Sequence, residues 1–222
     1  LGEYRNARRV FKCAFIYVVS VGLVAAVLTF AFAPALVKEQ PNAILSLQIL
    51  APTIFLSGFL AIYRGYLQAY KTMIPTSISQ IIEQIANAVV SVLAAYLMSR
   101  PFVPGTSEHA KYGAAGSAMG TGAGVLCGII YILIAYAGRR KEIMETVESD
   151  VSSNIESYGK LFRQIVMIVT PIIIAAFVYN ITTTVDMKIF YNVLNSKNVD
   201  RVESANLYGI FSGQYMVLIN LP

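Results

Sequence analysis

Long stretches without charge alternate with short polar segments along this chain. Cys13 to Val37 and Gln40 to Tyr63 carry no charged residue, Ile74 to Ser99 is interrupted only by Glu83, and Tyr112 to Gly138 and Gln164 to Val185 carry none. Each stretch exceeds the roughly 20 residues that cross a hydrocarbon layer of about 30 Å at about 1.5 Å rise per residue. Inside lipid the backbone must satisfy its own polar groups, which a helix does within one segment. The pattern therefore predicts an all-α membrane protein, a multi-pass helical bundle with five full spans. A sixth span begins near Ala205 and is still apolar at Pro222. Opening on Leu1 and stopping inside an apolar run are expected of a segment of a longer protein, cut at both ends. The first apolar run is too long for the core of a cleavable signal peptide and is followed by further spans.

Composition agrees with this reading. The chain is 56% hydrophobic and 13% charged, about half the charged fraction usual for a soluble domain. Cys13 and Cys127 both fall in apolar helical stretches, where small hydrophobes are expected and a disulfide is not. The net charge of +5 does not point to nucleic acid, because the basic residues cluster beside spans, where lipid orientation accounts for them.

Their distribution sets an orientation. Arg5, Arg8, Arg9, Lys12, Arg64, Lys71, Arg139, Arg140, Lys141, Lys160 and Arg163 occupy alternate polar segments and outnumber the Lys and Arg of the other set eleven to six. The richer side is expected to be cytoplasmic in a bacterial-type inner membrane, with the first residues inside. The segment from Arg139 to Arg163 has basic ends and an acidic middle (Glu142, Glu145, Glu148, Asp150). Ile143, Val147 and Val151 recur in it every four residues, as in an amphipathic helix lying on the membrane surface; an ordinary long loop is the alternative. It divides the chain into residues 1–138, a linker at 139–163, and the start of a second bundle at 164–222.

Proline and glycine add local detail. Pro75 opens the third span, where a missing amide costs nothing, whereas Pro52 and Pro171 lie inside spans and are expected to kink them. Gly116, Gly120, Gly124 and Gly128 form a ridge without side chains that lets another helix approach closely. The G-x-G-x-x-G spacing of a dinucleotide site is absent. Tyr63, Tyr66, Tyr70, Tyr96, Tyr112 and Tyr136 gather near predicted interfaces. His109, in an external loop, reads as solvated, and no metal-ligand spacing or Ser, His and Asp arrangement is present.

Polar groups inside spans are expensive, so they are the candidate functional residues. Glu83 lies roughly 13 Å from the cytoplasmic end of its span by helix rise, where a charge costs on the order of 3 kcal/mol or more unless solvated or paired. Gln80, Gln84, Asn87 and Ser91 join it at three- and four-residue spacings in a stripe that must face protein or water. It either lines a cavity or forms an interhelical hydrogen-bond cluster. Asp186 ends the fifth uncharged run. It either pairs with Lys188 at the external surface or, if the helix continues through Met187, Ile189, Phe190, Val193 and Leu194, stays inside beside Asn180, Thr182 and Thr183. That oxygen-rich set suits a hard cation such as Na⁺.

Arg64-Gly65-Tyr66-Leu67-Gln68, then Met73-Ile74-Pro75-Thr76, then Ser79-Gln80-Ile81-Ile82-Glu83-Gln84, with Tyr112-Gly113-Ala114-Ala115-Gly116 opening the next span, resemble the stage V sporulation protein B-like polysaccharide biosynthesis proteins. The resemblance covers essentially the whole chain and implies the two-lobed fold of the multidrug/oligosaccharidyl-lipid/polysaccharide exporter superfamily, which also holds lipid II flippases. On that mapping the chain carries helices three to six of the first lobe, the interlobe linker, helix seven and part of eight.

It implies a monomeric flippase for a lipid-linked cell-wall or capsular saccharide, working by alternating access, with Arg64, Gln80, Glu83, Gln84 and Asn87 as cavity candidates. In related flippases an acidic residue of helix seven contributes to a cation site. Asp186, with Asn180 and Thr183, takes the same place, for coupling to Na⁺ or H⁺ and without any cofactor. The chain departs from the family pattern at Asn87, where a basic residue often follows the Glu-Gln pair by a turn. A cation-coupled multidrug exporter is the alternative. A membrane-embedded polysaccharide-synthesis enzyme is not expected, because the short external loops carry only Lys38, Glu39, Arg100, Glu108 and Lys111 before the last one.

Overall fold

A computed structural model describes residues 4–38, 40–70, 72–150 and 156–219. It is an all-α multi-pass membrane protein. In chain order it comprises α1 (Tyr4–Leu36), a 3₁₀ turn (Pro41–Ala43), α2 (Ile44–Ala69), α3 (Ile74–Ser99), α4 (Ser107–Glu148), α5 (Tyr158–Ser196), α6 (Arg201–Ile210), a π-helical turn (Phe211–Tyr215) and α7 (Met216–Ile219). Five helices among the described residues, α1 to α5 with the 3₁₀ turn leading into α2, are long and apolar enough to cross a membrane. Many of their large apolar side chains, such as Ile16, Val92, Ile130 and Ile174, are exposed, as a lipid-facing surface requires.

The helices run past the apolar stretches that predict them. Arg5, Arg8, Arg9 and Lys12 are already helical in α1, which suits long unbranched side chains. Pro75 stands at the first turn of α3. Pro34, Pro52 and Pro171 lie inside α1, α2 and α5 without ending them. Residues Arg139 to Glu148 are not a separate surface helix but the last turns of α4, a single helix of 42 residues, about 63 Å long at 1.5 Å per residue. Ile143 and Val147 are buried there. Their four-residue spacing reflects packing onto the bundle, not onto a membrane surface. Val151, the third residue of that repeat, lies outside the described residues, as do Glu39 and Lys71 of the loop assignments.

The chain forms two compact units, Leu1–Phe162 and Arg163–Pro222. The core of the first centres on Leu60, Tyr66, Leu67, Val125, Ile129, Ile132 and Ile143, from α2 and α4. Phe11 of α1 stacks into it, with ring centroids 4.2 Å from Tyr66 and 5.6 Å from Tyr63. Tyr63, Tyr66, Tyr70 and Tyr136 thus belong to one aromatic cluster, whereas Tyr96 is 62% exposed and Tyr112 stacks on Phe102 at 4.5 Å. Cys13 is buried and Cys127 partly so; both are free thiols.

The α3–α4 loop turns at Pro104-Gly105, with Gly105 at φ +86° and the Thr106 amide donating to the Val103 carbonyl at 3.2 Å, as a type II turn requires. His109 is not simply solvated. Its Nδ1 lies 3.1 Å from the Ser99 carbonyl and 3.3 Å from that of Phe102. Carbonyls only accept, so Nδ1 carries the proton and ties the end of α3 to the start of α4.

In the second unit α5 continues to Ser196 and ends in a left-handed residue, Asn198 (φ 57°). The Val199 and Asn198 amides donate to the Leu194 and Asn195 carbonyls, the pairing of a Schellman cap. Where the sequence predicts the start of a further span, α6 begins at Arg201, ahead of Ala205, with Asp200 as N-cap, and runs into the π-helical turn.

Candidate functional site

The charged group within the third span is paired. Arg64 of α2 reaches Glu83 of α3, with Nη2 2.7 Å from Oε2 and the two side chains 15% and 21% exposed. The same guanidinium donates to Ser79 Oγ, 2.8 Å from Nη2 and 3.2 Å from Nε. Ser79, fully buried, donates in turn to the Gly128 carbonyl of α4 at 3.3 Å. Ser79 lies four residues before Glu83, hence on the same face of α3. Two charges and a hydroxyl thereby link three helices, and each partner offsets part of the other's desolvation.

The glycine ridge makes this geometry possible. A Cβ at Gly124 would lie 2.6 Å from the Glu83 carbonyl oxygen and 3.0 Å from Asn87 Cβ. At Gly120 and Gly116 it would meet the Ser91 amide nitrogen and the Ala94 carbonyl oxygen at 2.4 Å. The α3 and α4 backbones approach at Gly116, Gly120 and Gly124, as small residues allow, whereas Gly128 faces the side chains of Leu60, Arg64 and Ser79. Ser91 Oγ, at this seam, lies 2.9 Å from Asn87 Oδ1 and 3.0 Å from the Ser117 carbonyl.

The predicted polar stripe therefore divides. Glu83, Asn87 and Ser91 are partly buried, whereas Gln80 and Gln84 are exposed. Helix geometry accounts for the split, since Gln80 and Gln84 stand about 60° and 100° around α3 from Glu83, on its open side. Ser79, quoted within the signature stretch but not singled out from the sequence, is the hydroxyl that completes the network; its spacing from Glu83 was the available clue. None of Arg64, Gln80, Glu83, Gln84 and Asn87 lines either of two cavities in the first unit, of about 210 and 410 Å³, which are bounded by α1, α4 and neighbouring segments.

The cation candidates belong to the second unit. Asp186 lies inside α5, not at its end, and is exposed. Among the described residues no ion pair joins it to Lys188, since side chains two apart on a helix diverge. Thr182 and Thr183 stand within about 60° of Asp186, whereas Asn180 is about 120° around the helix. Asn180 Nδ2 instead donates to the Ala176 carbonyl at 2.7 Å, and Thr182 Oγ1 to that of Val178 at 3.2 Å. No group of three or more His, Cys, Asp or Glu able to hold a metal ion occurs among the described residues.

Over its length the chain is similar to stage V sporulation protein B of Bacillus subtilis (strain 168), 21% identical across 100% of the chain and 41% of the relative. It is also similar to the lipid II flippase MurJ of the same organism, 19% identical across 85% of the chain and 36% of the relative. The chain thus spans about two fifths of the length of either protein. No solved structure matches it. Residues 3–222 match the polysaccharide biosynthesis protein family, and the chain belongs to that family.

Proposed function

We propose that the protein is a flippase that exports a lipid-linked cell-wall or capsular saccharide precursor, by alternating access of two lobes and without covalent chemistry. The observation that carries this reading is the family match across residues 3–222, on a chain with five helices long and apolar enough to cross a membrane. A relative named as a lipid II flippase supports the substrate class. In this reading residues 1–138 belong to the first lobe and 164–222 open the second. The protein works as a monomer in a bacterial inner membrane, and the basic start of α1 is cytoplasmic.

The polar edge of α3 supports a wet path. Unpaired amides facing hydrocarbon would each cost several kcal/mol, on the order of 4, so exposed Gln80 and Gln84 face water, substrate or protein, not lipid. Arg64 and Glu83 stand beside that edge as a charge pair that opens when a substrate anion competes for the guanidinium. Asp186, with Thr182 and Thr183, supplies the oxygen atoms for Na⁺ coupling, or Asp186 alone carries a coupled proton.

The test is translocation of a fluorescent lipid-linked oligosaccharide in vesicles holding the full-length protein. Movement across the bilayer that Gln84→Leu slows supports the reading. Transport of organic cations without movement of the saccharide lipid assigns a multidrug exporter instead.

A further inference from the structure

Away from the α2–α3 charge pair, the first unit carries a second polar construction. Arg5, Arg8, Arg9 and Lys12, spaced three and four apart, share one face at the start of α1. With Val147 and Glu148 at the end of α4 and Tyr158 at the start of α5, they line the cavity of about 410 Å³, which is open on one side.

Its walls are tied together. Arg9 Nη1 donates to the Glu156 carbonyl at 2.7 Å and its guanidinium lies 4.9 Å from the centre of the Tyr158 ring. The Glu156 amide donates to Asn6 Oδ1 at 3.1 Å, and the Arg5 amide to Asp150 Oδ2 at 2.9 Å. Asn6 and Asp150 are both buried. Lipid orientation accounts for basic residues near a helix end, but not for a cavity that gathers four cations around one carboxylate between segments about 145 residues apart in sequence.

We propose that this cavity binds a phosphate anion carried by a hydroxylated head group, as in an acidic glycerophospholipid. Guanidinium groups match phosphate oxygens in geometry as well as charge. Arg9, already bonded to the Glu156 carbonyl and placed over the Tyr158 ring, loses little freedom on binding. Arg5, Arg8 and Lys12 neutralise the phosphate, and Glu148 accepts a hydrogen bond from a head-group hydroxyl. Bound there, the ligand bridges the start of α1 and the end of α4 to the start of α5. The site is separate from the proposed saccharide path, since it shares no residue with Arg64, Gln80, Glu83, Gln84 or Asn87.

The test follows the unfolding temperature of the full-length protein in neutral detergent while dihexanoylphosphatidylglycerol, dihexanoylphosphatidylcholine or inorganic phosphate is added, because a ligand of the native state raises it. The glycerol lipid should raise it and the choline lipid should not. Two lost charge-assisted hydrogen bonds should weaken the response of R8Q/K12Q about tenfold or more in half-saturating concentration. R8K/K12R should keep most of it. R140Q/K141Q removes the same charge from exposed positions of α4 outside the cavity and should leave it within about twofold, as screened surface charge does. An equal response to inorganic phosphate supports the phosphate site and assigns its occupant to a soluble ion. If R8Q/K12Q does not fold, loss of the wild-type response between about 50 and 500 mM salt carries the same information. Absence of any anion effect, or equal weakening by R140Q/K141Q, overturns the proposal.

Discussion

Arg64 on α2 and Glu83 on α3 meet at 2.7 Å, and the Ser79 hydroxyl one turn from Glu83 accepts from the same guanidinium. Removing one partner leaves the other charge poorly solvated between helices, so Arg64→Ala or Glu83→Ala should each destabilise the fold by about 3 kcal/mol. The double variant should recover part of that loss, with a coupling of about 1–3 kcal/mol. Midpoints of unfolding in sodium dodecyl sulfate for the four proteins measure it; additive losses would show that the pair contributes nothing as a pair.

Gly124 makes a second prediction of opposite sign to a neighbour on the same helix. A methyl group there meets the Glu83 carbonyl oxygen at 2.6 Å, and relief requires the α3 and α4 backbones to part. Gly124→Ala should cost about 1–3 kcal/mol, as overpacking does. Gly138→Ala meets nothing within 4 Å and should gain about 0.5–1 kcal/mol from helix propensity. The same unfolding assay reads both.

The loop between α3 and α4 depends on His109, whose Nδ1 proton is shared between the Ser99 and Phe102 carbonyls. His109→Ala leaves the Ser99 carbonyl only its bond from the Phe102 amide at 3.0 Å and takes the ring donor from the Phe102 carbonyl, which should cost about 1 kcal/mol. The loss should be local, seen as faster amide hydrogen exchange at residues 100–110 without a change at the α2–α4 core.

These three sites differ in how far the sequence disclosed them. The glycine ridge is legible at Gly116, Gly120 and Gly124, because a repeat of the smallest residue allows close approach whichever helix answers it, while at Gly128 the space is filled by side chains instead. The Glu83 stripe was legible as an expense, not as a geometry: its partner Arg64 stands at the far end of another span, and spacing along one helix cannot reveal it. The sequence marks His109 as solvated because the two carbonyls that hold it, one at the end of α3 and one in the following loop, are brought to it by a chain path that depends on Pro104 and Gly105. The last turns of α4 were read as a surface helix, since a four-residue apolar repeat does not say whether lipid or protein covers it. For Asp186 the sequence leaves two alternatives open, a surface pair with Lys188 or a place inside the span, and α5 runs unbroken past both residues to Ser196.

Alkaline stability offers a test at the membrane edge. Burial, ahead of the neighbouring Tyr136, raises the Tyr70 pKa above 10.0. Below that pH the phenol is neutral folded and unfolded, so it adds no pH dependence. Above it the unfolded chain loses the proton first and binds fewer protons than the native state, so stability falls as pH rises. Tyr70→Phe should lessen the decline in unfolding midpoint between about pH 9 and pH 11; an unchanged slope would remove Tyr70 as its source.

Cation coupling, if it resides on α5, should follow the helix face and not mere proximity in sequence. Thr182 and Thr183 lie beside Asp186 around the axis, while Asn180 is turned away and its amide is already bound to the Ala176 carbonyl. In vesicles that translocate a lipid-linked oligosaccharide, Asp186→Asn should therefore abolish the dependence of rate on Na⁺ or on a pH gradient, whichever the wild type shows. Thr183→Val should weaken a Na⁺ dependence but leave a proton dependence intact, because only the metal ion needs the extra oxygen. Asn180→Ala should leave either unchanged. A cation dependence that survives Asp186→Asn would place coupling outside this helix, even if the saccharide lipid still crosses the bilayer.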